Sequence, residues 1–244
     1  MARLPLIACF HGGGSNAAVM SLQCARLQKM FQHTFEFVYF EAPFIRSAGP
    51  GVLPGFKDYG PFKTWFKIDE EGNEKSDGSG YDYHDNDGIE RVLKLMLAEG
   101  EAQEWVGVLG FSQGTRVVGG LLREQQKRIE AGEKCEIILK FGVLCMGGAG
   151  PMLSKSFHDS LFERYGVVAS NEVSHMEERI AIPTLHLHGL KDINLNNGRK
   201  QLATFYEADS TRLLEINYHH AMPWEQSDIA EFAKMIMELY QDTR

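Results

Sequence analysis

Residues 107–122 read GVLGFSQGTRVVGGLL. At the centre, Gly110-Phe111-Ser112-Gln113-Gly114 holds a serine between two glycines, each two positions away. The apolar run WVGVLGF precedes it, and apolar residues at helical spacing follow. A strand turning sharply into a helix across G-x-S-x-G is the setting of a nucleophile elbow. The glycines supply room, because a turn this tight strains the serine backbone and side chains two residues to either side would collide. The turn also leaves the serine oxygen at a helix N-terminus, where the local potential favours developing negative charge. Glycine-rich turns are common, so the serine alone does not make a nucleophile.

Working outward, strand-like runs alternate with helical patterns. The runs are PLIACF, FEFVYF, WVGVLGF, ILKFGVLCM, PTLHLHG and RLLEIN, and residues 17–32, 89–98, 115–128, 195–206 and 225–240 carry the helical spacing. This order predicts an α/β fold with a parallel sheet covered by helices. Two segments interrupt the rhythm. Residues 42–88 are rich in Gly, Pro, aromatic and acidic side chains, and 147–182 mix polar and aromatic ones. Long connections inside a compact domain tend to be lids or binding loops. Within the first, EEGNEKSDGSG reads as a polar surface loop, whereas Tyr59, Phe62, Trp65 and Phe66 are too aromatic to be left solvated. They are expected to wall an apolar acyl pocket.

A serine hydroxyl is a poor nucleophile at neutral pH and needs a base and a group to orient that base. Asp192 follows PTLHLHG, and His219 and His220 follow RLLEIN. All lie just past strand C-termini, where open parallel sheets place their sites, and Ser, Asp, His is the chain order of α/β hydrolases. Asp192 could instead cap the helix beginning near Asn194. An acyl-transfer site also needs oxyanion donors. The Gln113 backbone N–H is one, and the motif asks this residue for its backbone more than its side chain. The loop FHGGGSN after the first strand supplies the second, assigned to Gly13, while Ser15 or Asn16 could cap the following helix. His186 and His188 share one strand face, but no HxxxH or carboxylate partner accompanies them. They read as satisfied core or near-site histidines, so no metal site is expected. YDYHDNDG misses the calcium-loop register and reads as a polar turn.

Composition excludes several functions. The 244 residues carry a net charge of -8 with scattered basic residues, which offers no patch for nucleic-acid phosphates. The densest basic run, REQQKR at 123–128, reads as a solvated helix face. Cys9, Cys24, Cys135 and Cys145 show no CxxC spacing and read as reduced thiols of a cytoplasmic protein. The N-terminal apolar run is too short for a secretory signal and ends in glycines, so it reads as the first core strand. No stretch approaches the ~18 apolar residues of a membrane helix. No GxGxxG follows the first strand, which argues against a dehydrogenase.

The ordered set His11-Gly12-Gly13, EAP, YGPFKTWF, GFSQG, HGLKD and HHAMP resembles the FSH1-type serine hydrolases over nearly the whole chain. These are small α/β hydrolases related to the ovarian-cancer-associated serine hydrolase, and in fungi they include thioesterases encoded beside polyketide synthases. The resemblance implies one α/β-hydrolase domain over residues 1–244, with a mostly parallel sheet, helices on both faces and lid-like insertions at 42–88 and 147–182. It implies Ser112 as nucleophile, Asp192 as acid and His220, three positions before Pro223, as base. His219 stands where the family usually has Gly, and HGGG replaces a more usual H-G-x-x-x-N, with Asn16 keeping the asparagine. The implied chemistry is cofactor-free hydrolysis of an acyl thioester or ester, releasing a polyketide or fatty-acyl chain from an acyl carrier protein or coenzyme A. A carboxylesterase for short esters shares the same residues. A non-catalytic binding protein on this fold remains the alternative of another class.

Overall fold

The computed structural model describes residues 3–67, 88–154 and 179–243. The chain begins with β1 (Leu6–Phe10), α1 (Ala17–Met30) and β2 (Glu36–Phe40), followed by two short strands, β3 (Phe44–Arg46) and β4 (Phe62–Thr64). It continues through α2 (Ile89–Glu99), β5 (Trp105–Phe111), α3 (Gly114–Glu130) and β6 (Phe141–Cys145). It closes with β7 (Thr184–Gly189), α4 (Leu195–Phe205), β8 (Thr211–Ile216) and α5 (Gln226–Asp242). Six strands form one sheet in the order β2-β1-β5-β6-β7-β8, and every pairing in it is parallel.

The two-residue period of β1 explains why helices cover both faces. Leu6, Ala8 and Phe10 enter a core shared with Ile89, Val92 and Met96 of α2 and Val117 and Leu121 of α3. Ile7 and Cys9 point the other way, into a core with Met20 and Leu27 of α1 and Phe232 and Ile236 of α5. A strand buried on both faces must be apolar throughout, hence the unbroken runs in the sequence. Cys9, Cys24 and Cys145 lie in this second core, and burial pushes the Cys24 thiol up to about 12.

From β1 the chain passes to β2 on one side of the sheet and later to β5 on the other. The ends of β1 and β5 therefore flank the topological switch point, where open α/β sheets form their crevice.

Two expectations need correction. The 123–128 run is not a solvated face, because Arg123, Glu124 and Gln125 are buried. Glu124 accepts bonds from Ser154 Oγ (2.5 Å) and Arg128 Nε (2.6 Å), and the Gln125 amide pairs with both the N–H and carbonyl of Leu139. The first insertion is partly regular structure: β3 and β4 pair antiparallel, and Lys63 bridges to Ser15 in the loop after β1. The expected helix cap after β1 is Asn16, whose side chain accepts the Val19 N–H at 2.9 Å. The stretch EEGNEKSDGSG, the YDYHDNDG turn as far as residue 87, and residues 155–178 of the second insertion lie outside the described residues. Among the described residues no helix is long and apolar enough to cross a membrane.

Candidate active site

Ser112 sits between β5 and α3 with φ of 52°, in the left-handed region that side-chain-bearing residues rarely adopt. Its N–H donates to the Cys145 carbonyl (2.8 Å), and its carbonyl accepts from the Thr115 N–H (3.0 Å) and hydroxyl (2.6 Å). The flanking glycines are steric necessities. A Cβ on Gly110 would stand 2.3 Å from the Gly114 carbonyl oxygen, and one on Gly114 only 2.0 Å from that of Phe10. Among the described residues the other non-glycine with positive φ is Met146, just past β6, and both line one cavity. Backbone strain of this kind clusters where a site demands it.

Asp192 and His220 leave the ends of the neighbouring strands β7 and β8. Their side chains meet at 2.6 Å, His220 Nδ1 to Asp192 Oδ2, with the carboxylate buried. The other carboxylate oxygen, Oδ1, accepts the Asn194 N–H at 2.8 Å. Asp192 Oδ1 thus holds the turn that enters α4, whose N-cap is Asn194, while Oδ2 contacts the imidazole. The Phe111 ring, next to Ser112, packs 5.1 Å from the His220 ring. His219 is engaged elsewhere, with Nδ1 on the Lys191 carbonyl at 3.0 Å.

The loop after β1 carries Gly12, Gly13 and Gly14 beside the elbow. A Cβ on Gly12 would lie 3.2 Å from Ser112 Cβ, and one on Gly13 3.1 Å from the Gln113 carboxamide. His11 anchors the loop. Its Nδ1 lies 2.7 Å from the Gly12 carbonyl oxygen, and Nε2 accepts the Ala42 N–H (3.1 Å). Trp65 Nε1 donates to the His11 carbonyl at 2.8 Å.

Ser112 and His220 open onto a cavity of about 280 Å³, lined also by Gln113, Arg116, residues 146–149, Asn194 and Asn197. The guanidinium of Arg116 stacks 3.8 Å from the Phe66 ring centroid, and its Nε donates to the Gly150 carbonyl at 2.9 Å. The described lining is polar and includes none of the four aromatics expected to wall it. Trp65 and Phe66 are buried in the core shared with α2 and α3, Phe62 is half-buried in β4, and Tyr59 is exposed and meets Phe56 edge to face. Burial holds for Trp65 and Phe66, which support the loop and Arg116 from behind, whereas the exposed Tyr59 departs from the expectation. Among the described residues no group of three His, Cys, Asp or Glu side chains could hold a metal ion.

A serine hydrolase family model, FSH1, matches residues 1–232. The chain belongs to the FSH1 serine hydrolase family. This FSH1 hydrolase is 30% identical over 268 residues to esterase dbaE of Emericella nidulans, covering 98% of the chain and 92% of that relative. It is 33% identical over 250 residues to esterase citA of Monascus ruber, covering 98% and 94%. Among solved structures, acyl-protein thioesterase 2 of Zea mays superposes with a TM-score of 0.57 at 16% identity, covering 98% and 95% of the two chains. A carboxylesterase from Mesorhizobium loti does so at 0.55 and 14%, covering 97% and 90%. These two likenesses establish the α/β-hydrolase fold.

Several residues of the FSH1 hydrolase site went unnoticed in the sequence. Arg116 lies in the first turn of α3, and Asn194 and Asn197 are three apart at the start of α4, so all face the crevice by helical spacing alone. Thr64 and the Gln113 side chain, which are hydrogen-bonded to each other, carry no sequence signal of pairing. His186 and His188 are core residues, but they are not satisfied ones. Their ring nitrogens find no hydrogen-bond partner among the described residues, and His188 Nδ1 is 3.7 Å from Glu215. Burial, with the charge of His188 second, lowers the pKa of His186 to about 3 and keeps its ring neutral.

Proposed function

We propose that this FSH1 hydrolase cleaves acyl esters and thioesters through a covalent acyl-enzyme on Ser112. The observation that carries the reading is the 2.6 Å Asp192–His220 pair sharing one cavity with a serine held at positive φ. His220 Nε2 accepts the Ser112 Oγ proton as Oγ attacks the acyl carbonyl. Asp192 holds the proton-bearing Nδ1 of the imidazole and stabilises the imidazolium that forms. The Gly13 and Gln113 backbone N–H groups receive the oxyanion; losing one such donor costs on the order of 3 kcal/mol of barrier stabilisation. His220 then gives its proton to the departing alkoxide or thiolate, and water attacks the acyl-enzyme by the same relay in reverse.

The finer reading is release of a polyketide chain from an acyl carrier protein in the cytoplasm. It is supported by the resemblance to fungal thioesterases and by the cavity's polar wall, since Arg116, Asn194 and Asn197 offer hydrogen-bond donors to an oxygen-bearing chain. A second reading, hydrolysis of short esters, is favoured by the cavity's volume of about 280 Å³, at the low end for a small-molecule site. Turnover of short aryl esters, acyl-coenzyme A and acyl-carrier-protein thioesters separates the two. Higher kcat/KM on the carrier-bound chain supports release from a carrier, and preference for short free esters rejects it.

A further inference from the structure

The G-x-S-x-G motif requires only a backbone N–H from the residue after the serine, yet the side chain of Gln113 is buried and hydrogen-bonded. Its Oε1 accepts the Trp65 N–H at 2.9 Å, and Thr64 Oγ1 lies 3.0 Å from Oε1 and 2.9 Å from Nε2. Thr64 ends β4 and Trp65 follows it. One residue earlier in that strand, the Lys63 carbonyl accepts the Gly14 N–H (2.8 Å) and the Lys63 N–H donates to the Ser15 carbonyl (2.7 Å). Strand β4 therefore grips the loop after β1 with one residue and the nucleophile elbow with the next two. The Gln113 carboxamide also packs directly under Gly13, where a Cβ would come within 3.1 Å of its Cδ and Nε2.

Three consecutive glycines have little conformational preference of their own, so the loop at 12–14 needs an external brace to hold a donor in place. Oxyanion donors act only when aimed at where charge develops, and small misplacements are expensive in rate. We propose that the Gln113 side chain is a positioning residue: through Thr64 and Trp65 it fixes the Gly13 N–H relative to the Gln113 N–H. This rests on the hydrolase reading above and assigns to the first insertion a job other than covering the site.

The test compares Gln113→Leu, Thr64→Val and Thr64→Ser with the unaltered protein on a short aryl ester. It also measures inhibition by an alkyl trifluoromethyl ketone, whose hemiketal with serine carries an oxyanion. Gln113→Leu and Thr64→Val should each lower kcat on the order of tenfold to a hundredfold with KM changed by less than about threefold. Ketone affinity should weaken by a similar factor, and Thr64→Ser should restore both. Unchanged kcat and ketone affinity in folded variants, or a kcat loss with ketone affinity intact, would overturn the proposal. If Gln113→Leu does not fold, Thr64→Val, which leaves the elbow's own residues intact, decides by the same two readings. An unaltered protein that neither turns over esters nor binds the ketone would reject the Ser112 hydrolase reading, and the brace with it.

Discussion

Asp192 and His220 descend from adjacent strands and meet at 2.6 Å, the carboxylate buried and its second oxygen occupied by the Asn194 N–H. This division of labour makes Asp192→Asn an informative change. An asparagine Oδ1 can keep the α4 turn, but the amide cannot hold the imidazole in the tautomer that accepts the serine proton. The expected outcome is a kcat lower by about 10³–10⁴ with KM little changed, measured by steady-state turnover of an aryl ester. A loss under tenfold would mean that Asp192 serves the helix and not the base.

The two histidines at the end of β8 separate in the same assay. His220→Ala removes the group bonded to Asp192 and should reduce kcat to the level of Ser112→Ala. His219→Ala removes a ring whose Nδ1 sits on the Lys191 carbonyl, at an exposed position. Its kcat should stay within about threefold of the unaltered value, as for surface substitutions generally. The reverse ranking would relocate the base.

Strain at the elbow gives a stability test independent of turnover. Ser112 has φ of 52°, a conformation that costs a residue with a Cβ but not glycine. Ser112→Gly should therefore be more stable than Ser112→Ala by about 1 kcal/mol, despite glycine's greater chain entropy. Urea unfolding of the two inactive proteins measures this directly. An alanine variant as stable as the glycine one would show the backbone relaxes.

Acid stability should report the buried His186. In the folded chain burial, then the neighbouring His188, depress its pKa to about 3 from the ordinary histidine value of 6.5. The unfolded chain binds the proton first, so the contribution to stability is intact above pH 6.5 and is lost as pH falls from there toward 3. The slope from this residue is about 1.4 kcal/mol per pH unit. His186→Phe, matched in shape and unable to titrate, should unfold with a correspondingly flatter dependence between pH 6.5 and 5. Parallel curves would mean the imidazole takes up its proton in the native state.

What could be read in the sequence was whatever depends on local pattern. WVGVLGF became β5 residue for residue, and the glycines around Ser112 proved to be the positions where a Cβ meets backbone oxygen. Asp192 and His220 stand out as candidates because strand ends in a parallel sheet point to one edge. What depends on docking between distant segments was not legible. The run at 123–128 looks solvated until residues 139 and 154 pack on it. Trp65 and Phe66 are aromatic enough to be buried, but only the folded chain reveals the loop and the guanidinium that they brace. A buried glutamine paired to a threonine 49 residues away leaves no periodic trace at all.

The central claim is that Ser112 is the nucleophile, and covalent labelling tests it most directly. The folded protein is treated with a fluorophosphonate, digested and mapped by mass spectrometry. The account predicts one phosphonylated residue, Ser112, with labelling lost in Ser112→Ala and strongly slowed in His220→Ala. Labelling at another residue, or none in a folded and active protein, would contradict it.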